Sequence, residues 1–344
     1  MKQRASDGID LPPLIEAVQK NCDIADARHA GDLTLCTFLL RMRDFYCWEN
    51  DLPPGRKVER DEVGNWAVDR ERHWQTIDEE AFGLLPLPGG AVDPFDGEKA
   101  NALLAPAGMV YSGGYGARGR PQFFLGELLR SEVREGCDIL ISGCEYARDV
   151  EAQPAMLLGR TVFVRTETLR RWLWDKVEEW RWSRKNEALG RALAGYGFDT
   201  DGNGDADAAL DAMLRTETES VILHELGEAS MEERFGAAWP AMLGEIAGTR
   251  AEIEARALRD LCADCVSTLP ALLAQDDPAP VHFHFANFTG MRRELEPDLA
   301  AAYRVWVESR DAAILMGAAE KAYVRAWERA QALLDARRRE AQNA

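Results

Sequence analysis

Thr216-Glu217-Thr218-Glu219-Ser220-Val221-Ile222-Leu223-His224-Glu225-Leu226-Gly227-Glu228 and, further on, Arg256-Ala257-Leu258-Arg259-Asp260-Leu261-Cys262-Ala263-Asp264-Cys265 decide how the chain is read. Neither segment contains proline, and both carry apolar residues at helical intervals, so both are expected to be helices. On the first, Glu217, Val221, His224 and Glu228 fall on one face; on the second, Arg256, Asp260 and Asp264 do the same. A face that mixes apolar residues with His, Glu and Asp is unusual, because buried charge is costly unless it is paired or bound to a metal. This stretch is therefore the candidate functional centre.

Outward from it, helices are expected over about 14–28, 32–49 and 61–77, and again from Thr166 onward, ending in two charged helices at about 296–309 and 311–339. Between them lie Val110-Tyr111-Ser112, Phe123-Phe124-Leu125, Ile139-Leu140-Ile141 and Thr161-Val162-Phe163-Val164. These short β-branched or aromatic runs, separated by glycines, read as strands of one small antiparallel sheet. The expected fold is mainly α: a helical bundle with a small antiparallel β insert (α+β). It divides into a helical segment 1–108, the insert at 109–165, and a helical segment 166–344 that packs with the first as one body.

Composition bounds the function. With 59 acidic and 41 basic residues the net charge is −18, which argues against nucleic acid and anionic membrane as partners. No stretch approaches the roughly 20 apolar residues of a membrane helix. No apolar run follows the N-terminal residues, so no signal peptide is expected. Seven scattered cysteines suit free thiols in a reducing cytoplasm. A small-molecule substrate, a protein partner and a homo-oligomer all remain compatible.

The chemistry-bearing residues reduce to a few sets. His224 with Glu228, and Asp260 with Asp264, have the four-residue spacing that two helices need to hold a metal between them. His282-x-His284 follows closely enough for either imidazole to complete the set, though a helix would separate the two rings. The donor types suit Fe, Mn or Zn better than copper. Glu225, beside the metal, would act as general base on a bound water. His224-Glu225-x-x-Glu228 differs from the His-Glu-x-x-His of zinc proteases at its last position, so a protease is poorly supported. In the competing reading the same residues form an internal network of hydrogen bonds and ion pairs, in a non-catalytic interaction protein.

Three other features are read as structural. Asp199-Thr200-Asp201-Gly202-Asn203-Gly204-Asp205-Ala206-Asp207 looks like a calcium loop but has Leu210 at the position of the bidentate acid, so it is read as an acidic loop capping the next helix. Cys262-x-x-Cys265 lacks a partner pair and is read as core thiols. His29 with Asp32 is read as a packing histidine beside a helix cap.

Arg28-His29-Ala30-Gly31-Asp32, His224-Glu225-Leu226-Gly227-Glu228, Asp264 within Ala263-Asp264-Cys265, and His282-Phe283-His284-Phe285-Ala286-Asn287-Phe288-Thr289-Gly290-Met291-Arg292 together are similar to a bacterial family of unknown function. The resemblance spans most of the chain and implies one protein type rather than a fusion. It implies no activity.

Overall fold

The computed structural model describes residues 8–116, 119–199 and 205–343. The chain forms two compact units, residues 1–133 with 138–174, and residues 134–137 with 175–344.

The first unit opens with α1 (Leu11–His29), α2 (Leu35–Glu49) and α3 (Arg60–Ile77). Pro12 and Pro13 sit in the first turn of α1, where the missing N–H groups have no intrahelical role. A two-stranded ribbon, β1 (Leu85–Leu87) with β2 (Gly90–Val92), and α4 (Gly97–Leu104) lead into the main sheet. That sheet contains β3 (Met109–Tyr115), β4 (Pro121–Arg134), β5 (Cys137–Arg148), β6 (Ala155–Leu158) and β7 (Thr161–Arg165), in the order β3-β4-β5-β7-β6.

The sheet overturns the expectation of a helical bundle, or an all-α chain, with a small antiparallel insert. It is mixed and curls into a half-barrel. β3 pairs antiparallel with β4 and β6 antiparallel with β7, but β5 and β7 run parallel. The β6–β7 hairpin docks through its second strand, so β7 lies between β5 and β6. Gly159, at φ 60°, supplies the left-handed residue in that hairpin's turn. The sheet is also no appendage. Alternate residues of β4 face opposite sides, and both sides are covered. Phe123 and Leu125 pack with Leu14, Val18 and Cys22 of α1 and with Tyr111. Phe124 packs with Val110, Leu140 and Phe163.

The second unit is helical: α6 (Glu187–Gly195), α7 (Ala206–Phe235), α8 (Ala238–Glu245), α9 (Arg250–Ala263), α10 (Leu269–Leu273), α11 (Ala279–Ala286), α12 (Gly290–Leu295), α13 (Pro297–Ser309) and α14 (Ala312–Asn343). α5 (Thr166–Ser183) precedes them. Residues 264–268 form a π-helical turn between α9 and α10, closed by the Leu269 N–H on the Asp264 carbonyl. Ala319, Ala322, Ala326 and Ala330 give α14 a narrow buried stripe, which lets it lie close to the Leu258, Leu261 and Cys262 side of α9. The last two helices end within a few residues of where their periodicity places them. No helix is long and apolar enough to cross a membrane among the described residues.

Candidate metal centre

α7 begins at Asp205, whose carboxylate accepts from the Ala208 N–H at 3.1 Å. Of the calcium-like stretch Asp199–Asp207, residues 200–204 lie outside the described residues. His224, Glu225 and Glu228 lie in the middle of this thirty-residue helix. α9 begins at Thr249, whose hydroxyl accepts from the Glu252 N–H. Where the two helices meet stands Gly227. A Cβ there would lie 2.8 Å from the Ala263 carbonyl oxygen, so only glycine permits the approach. That approach sets the His224 and Glu228 face of α7 against Asp260 and Asp264.

Asp264 Oδ1 is 2.8 Å from His224 Nδ1. An ionised carboxylate only accepts, so Nδ1 carries the proton and donates. Asp264 Oδ2 accepts from Arg292 Nη1 at 3.0 Å. The other imidazole nitrogen, Nε2, lies 3.3 Å from Glu228 Oε1. Arg259 Nη2 donates to the same Glu228 oxygen and, at 3.2 Å, to Asp260 Oδ1. One ligand atom each from His224, Glu228 and Asp260 lie within 4.8 Å of one another, the sole such group of three among the described residues. A zinc-like ion about 2.1 Å from each of three ligands needs them roughly 3.4 Å apart, so small side-chain motions would close the set.

The electrostatics follow from burial in unequal company. Burial pushes Glu225 up to about 8, with the Glu228 charge adding to it. Burial and Glu228 likewise push Asp260 up to about 6. For Glu228 burial acts in the same sense, but Arg259 and His224 outweigh it and hold the carboxyl at about 2. Asp264 is held well below its usual range, its burial outweighed by His224, His284 and Arg292. Burial alone would lower His224; Asp264 and Glu228 outweigh it and hold the imidazole well above its ordinary value.

The two remaining histidines part company, because His282-x-His284 lies on α11. His282 Nδ1 is 2.9 Å from Tyr303 Oη, its Nε2 faces Arg310 at 3.4 Å, and its ring stands edge-on to Trp306. His284 stays within electrostatic reach of Asp264, Arg292 and His224, and burial lowers it to about 4. Its Nε2 is buried and has no hydrogen-bond partner among the described residues. Cys262 and Cys265 are buried in the core. Burial pushes the Cys262 thiol up to about 12, as a packing residue rather than a reactive one would be. His29 lies 3.6 Å from Asp32, partly exposed.

Sequence reasoning undervalued Arg292, the last residue of the His282 to Arg292 segment, which anchors Asp264. It also overlooked a buried network in the first unit, where Glu145, Arg148, Asp149 and Arg165 stand at less than a tenth exposure. The available signal was charge placed directly at the ends of apolar strands.

The N-terminal domain of a family of unknown function (DUF6866) matches residues 13–165, and the C-terminal domain of the same family matches residues 170–344. No curated protein and no solved structure matches the chain.

Proposed function

We propose, for a chain that belongs to the DUF6866 family, that the second unit binds one divalent transition metal through His224 Nε2 and the carboxylates of Glu228 and Asp260. The observation that carries this reading is the hydrogen bond at the far side of the imidazole. A metal-binding histidine characteristically donates its other ring N–H to a carboxylate, which fixes the tautomer and leaves a lone pair on the liganding nitrogen. His224 Nδ1 donates to Asp264 Oδ1, and Arg292 holds Asp264 in turn. In this reading Asp264 orients a ligand rather than being one, His284 stands behind Asp264, and His282 belongs elsewhere.

Charge supports the same reading. Glu225, Glu228, Asp260 and Asp264 face Arg259, Arg292 and a His224 held protonated, so once a metal displaces the Nε2 proton two positive charges are missing; burial, with the Glu228 charge adding to it, raises Glu225 and Asp260. A divalent ion would make up the missing positive charge. One imidazole and two carboxylates suit Zn, Mn or Fe(II). Three protein ligands leave coordination positions open, as in catalytic rather than structural zinc sites. Such an ion would supply Lewis acidity or redox capacity. Glu225, next to the ligand His224, would take a proton from a group bound there, in a hydrolase or an oxidase.

One observation favours the rival reading, a purely structural network. Arg259 already bonds both Glu228 and Asp260, the two carboxylates a metal would use. Elemental analysis of protein purified without a chelating tag, followed by titration with Zn, Mn and Fe(II), separates the two. The metal reading expects near-stoichiometric metal that disappears in His224→Ala. Absence of Fe, Mn, Zn and Co, with no thermal stabilisation by any of them, overturns it in favour of the ion-pair network.

A further inference from the structure

A groove of about 450 Å³ opens in the second unit between the start of α13 and the first half of α14, and none of the candidate metal ligands lines it. Its volume lies within the roughly 300–1,000 Å³ of small-molecule sites. Ile314, Gly317, Ala318, Lys321 and Arg325 line it from one face of α14, at helical spacing. Gly317 leaves that face open in its middle, for a Cβ there would meet nothing within 4 Å. Asp298, in the first turn of α13, lines the groove from the other helix.

The charges around the groove are held apart. Glu296 is 1% exposed and accepts from Arg325 Nε on both carboxylate oxygens at 3.1 Å, and from Nη2 as well. That contact fixes the guanidinium, while its Nη1 makes no hydrogen bond among the described residues. Asp298 Oδ2 stands 3.6 Å from Arg325 Nη2, beyond hydrogen-bond reach. Lys321 makes no hydrogen bond and no ion pair among the described residues, with Asp298 or any other carboxylate. An ammonium and a carboxylate therefore border one groove without meeting.

We propose that this groove binds a free α-amino acid with an apolar side chain, its ammonium on Asp298, its carboxylate on Lys321 and Arg325 Nη1, and its side chain over Gly317 and Ala318 toward Ile314. The fit is one of charge sign, donor number and wall chemistry. A zwitterion bridges the two opposite charges that the protein keeps apart, and each contact it makes is a charge-assisted hydrogen bond. A simple carboxylic acid or a simple amine would satisfy one side and meet its own sign of charge on the other. The side chain covers Ile314, which is otherwise 37% exposed. The proposal is independent of the metal reading, since the two sites share no residue.

Calorimetric titration of the full, metal-free chain with L-leucine tests the proposal. Saturable one-site binding is expected. Leucinamide lacks the carboxylate and N-acetyl-leucine lacks the ammonium, so each should bind on the order of tenfold more weakly. Lys321→Met keeps the stem, removes the charge and should weaken leucine binding by a similar factor. Gly317→Leu fills the groove. Its side chain enters open space on a helix, where leucine is favoured over glycine, so the variant should fold at least as well as the wild type and bind no leucine. On the wild type, the Gly317 and Lys321 amides should be among those that shift in NMR spectra. Absence of saturable binding, leucinamide or N-acetyl-leucine binding as tightly as leucine, unmoved Gly317 and Lys321 amides, or unchanged affinity in Gly317→Leu or Lys321→Met would each overturn it.

Discussion

His224 is the residue whose two faces do different things, and the substitutions that matter follow from that division. Asp264→Asn replaces an anionic acceptor with a neutral one at Nδ1. If Asp264 orients a liganding imidazole, metal affinity measured by titration should fall roughly 10- to 100-fold. An unchanged affinity would show that the carboxylate has no such role. Glu225 sets the pH behaviour. Its folded-state value, about 8, lies above the ordinary 4.5. As pH rises from 4.5 toward 8 the unfolded chain releases this proton while the folded chain keeps it, so stability falls. His224, also raised, contributes stability that is complete below about pH 6.5 and is lost as pH rises through its folded value. Glu228 acts oppositely: its contribution is complete above 4.5 and is lost as pH falls toward 2. In metal-free protein, Glu225→Gln should therefore gain stability over the wild type increasingly from pH 5 to pH 8. Thermal melts across that window check this, and a constant difference would show that Glu225 ionises normally. The four-residue spacing of His224 with Glu228 was legible because helical periodicity is local. The reach of Arg292 to Asp264 was not, since it joins residues 28 positions apart across α10 and α11.

At the scale of elements, the tight crossing of α7 and α9 has its weak point at Gly227. Gly227→Ala puts a methyl group 2.8 Å from the Ala263 carbonyl, a backbone atom that cannot swing aside. The helices must separate, at a cost of about 1–3 kcal/mol. Chemical denaturation should report that loss, and the same variant should bind metal more weakly because His224 and Asp264 are drawn apart. A variant as stable as the wild type would show that the crossing has slack. Helices were the most legible elements, since their stripes repeat over several turns. The strands were legible as segments but not as a sheet. Nothing within 155–165 reveals that the hairpin would enter through β7 and lie parallel to β5, because strand order is decided by what each face must cover. His282 and His284 show the same limit: both extended and helical pairings were open, and α11 separates the rings.

The whole chain consists of two units with separate cores, and the candidate metal ligands all fall in the second. Binding to the folded state stabilises whatever unfolds with the site, by about 2.7 kcal/mol when free metal stands at a hundred times its dissociation constant. Calorimetric melts should thus show two transitions, of which added metal raises one. A single transition, or equal displacement of both, would show that the units unfold together. The mixed sheet also explains why composition misled at this scale. Strand stretches buried on both faces, as at 123–126 of β4 and 139–143 of β5, carry the same apolar residues as helices, so a chain dominated by helix hides the organising role of five strands.

The π-helical turn at 264–268 holds one residue more than an α-helical turn of the same height. Removing any one of the five would let α9 run on into α10 as a regular helix, without strain. Because the wide turn absorbs its extra residue, α9 and α10 would keep their phase, with Leu269 and Leu272 still in the core. Loss of a residue between Cys265 and Thr268 would therefore leave Asp264 facing His224, whereas loss of Asp264 itself removes the acceptor of the His224 Nδ1 proton. The site is therefore sensitive to which residue the chain loses here rather than to how many. A lineage that lost the single codon of Asp264 would keep a folded protein and lose the centre.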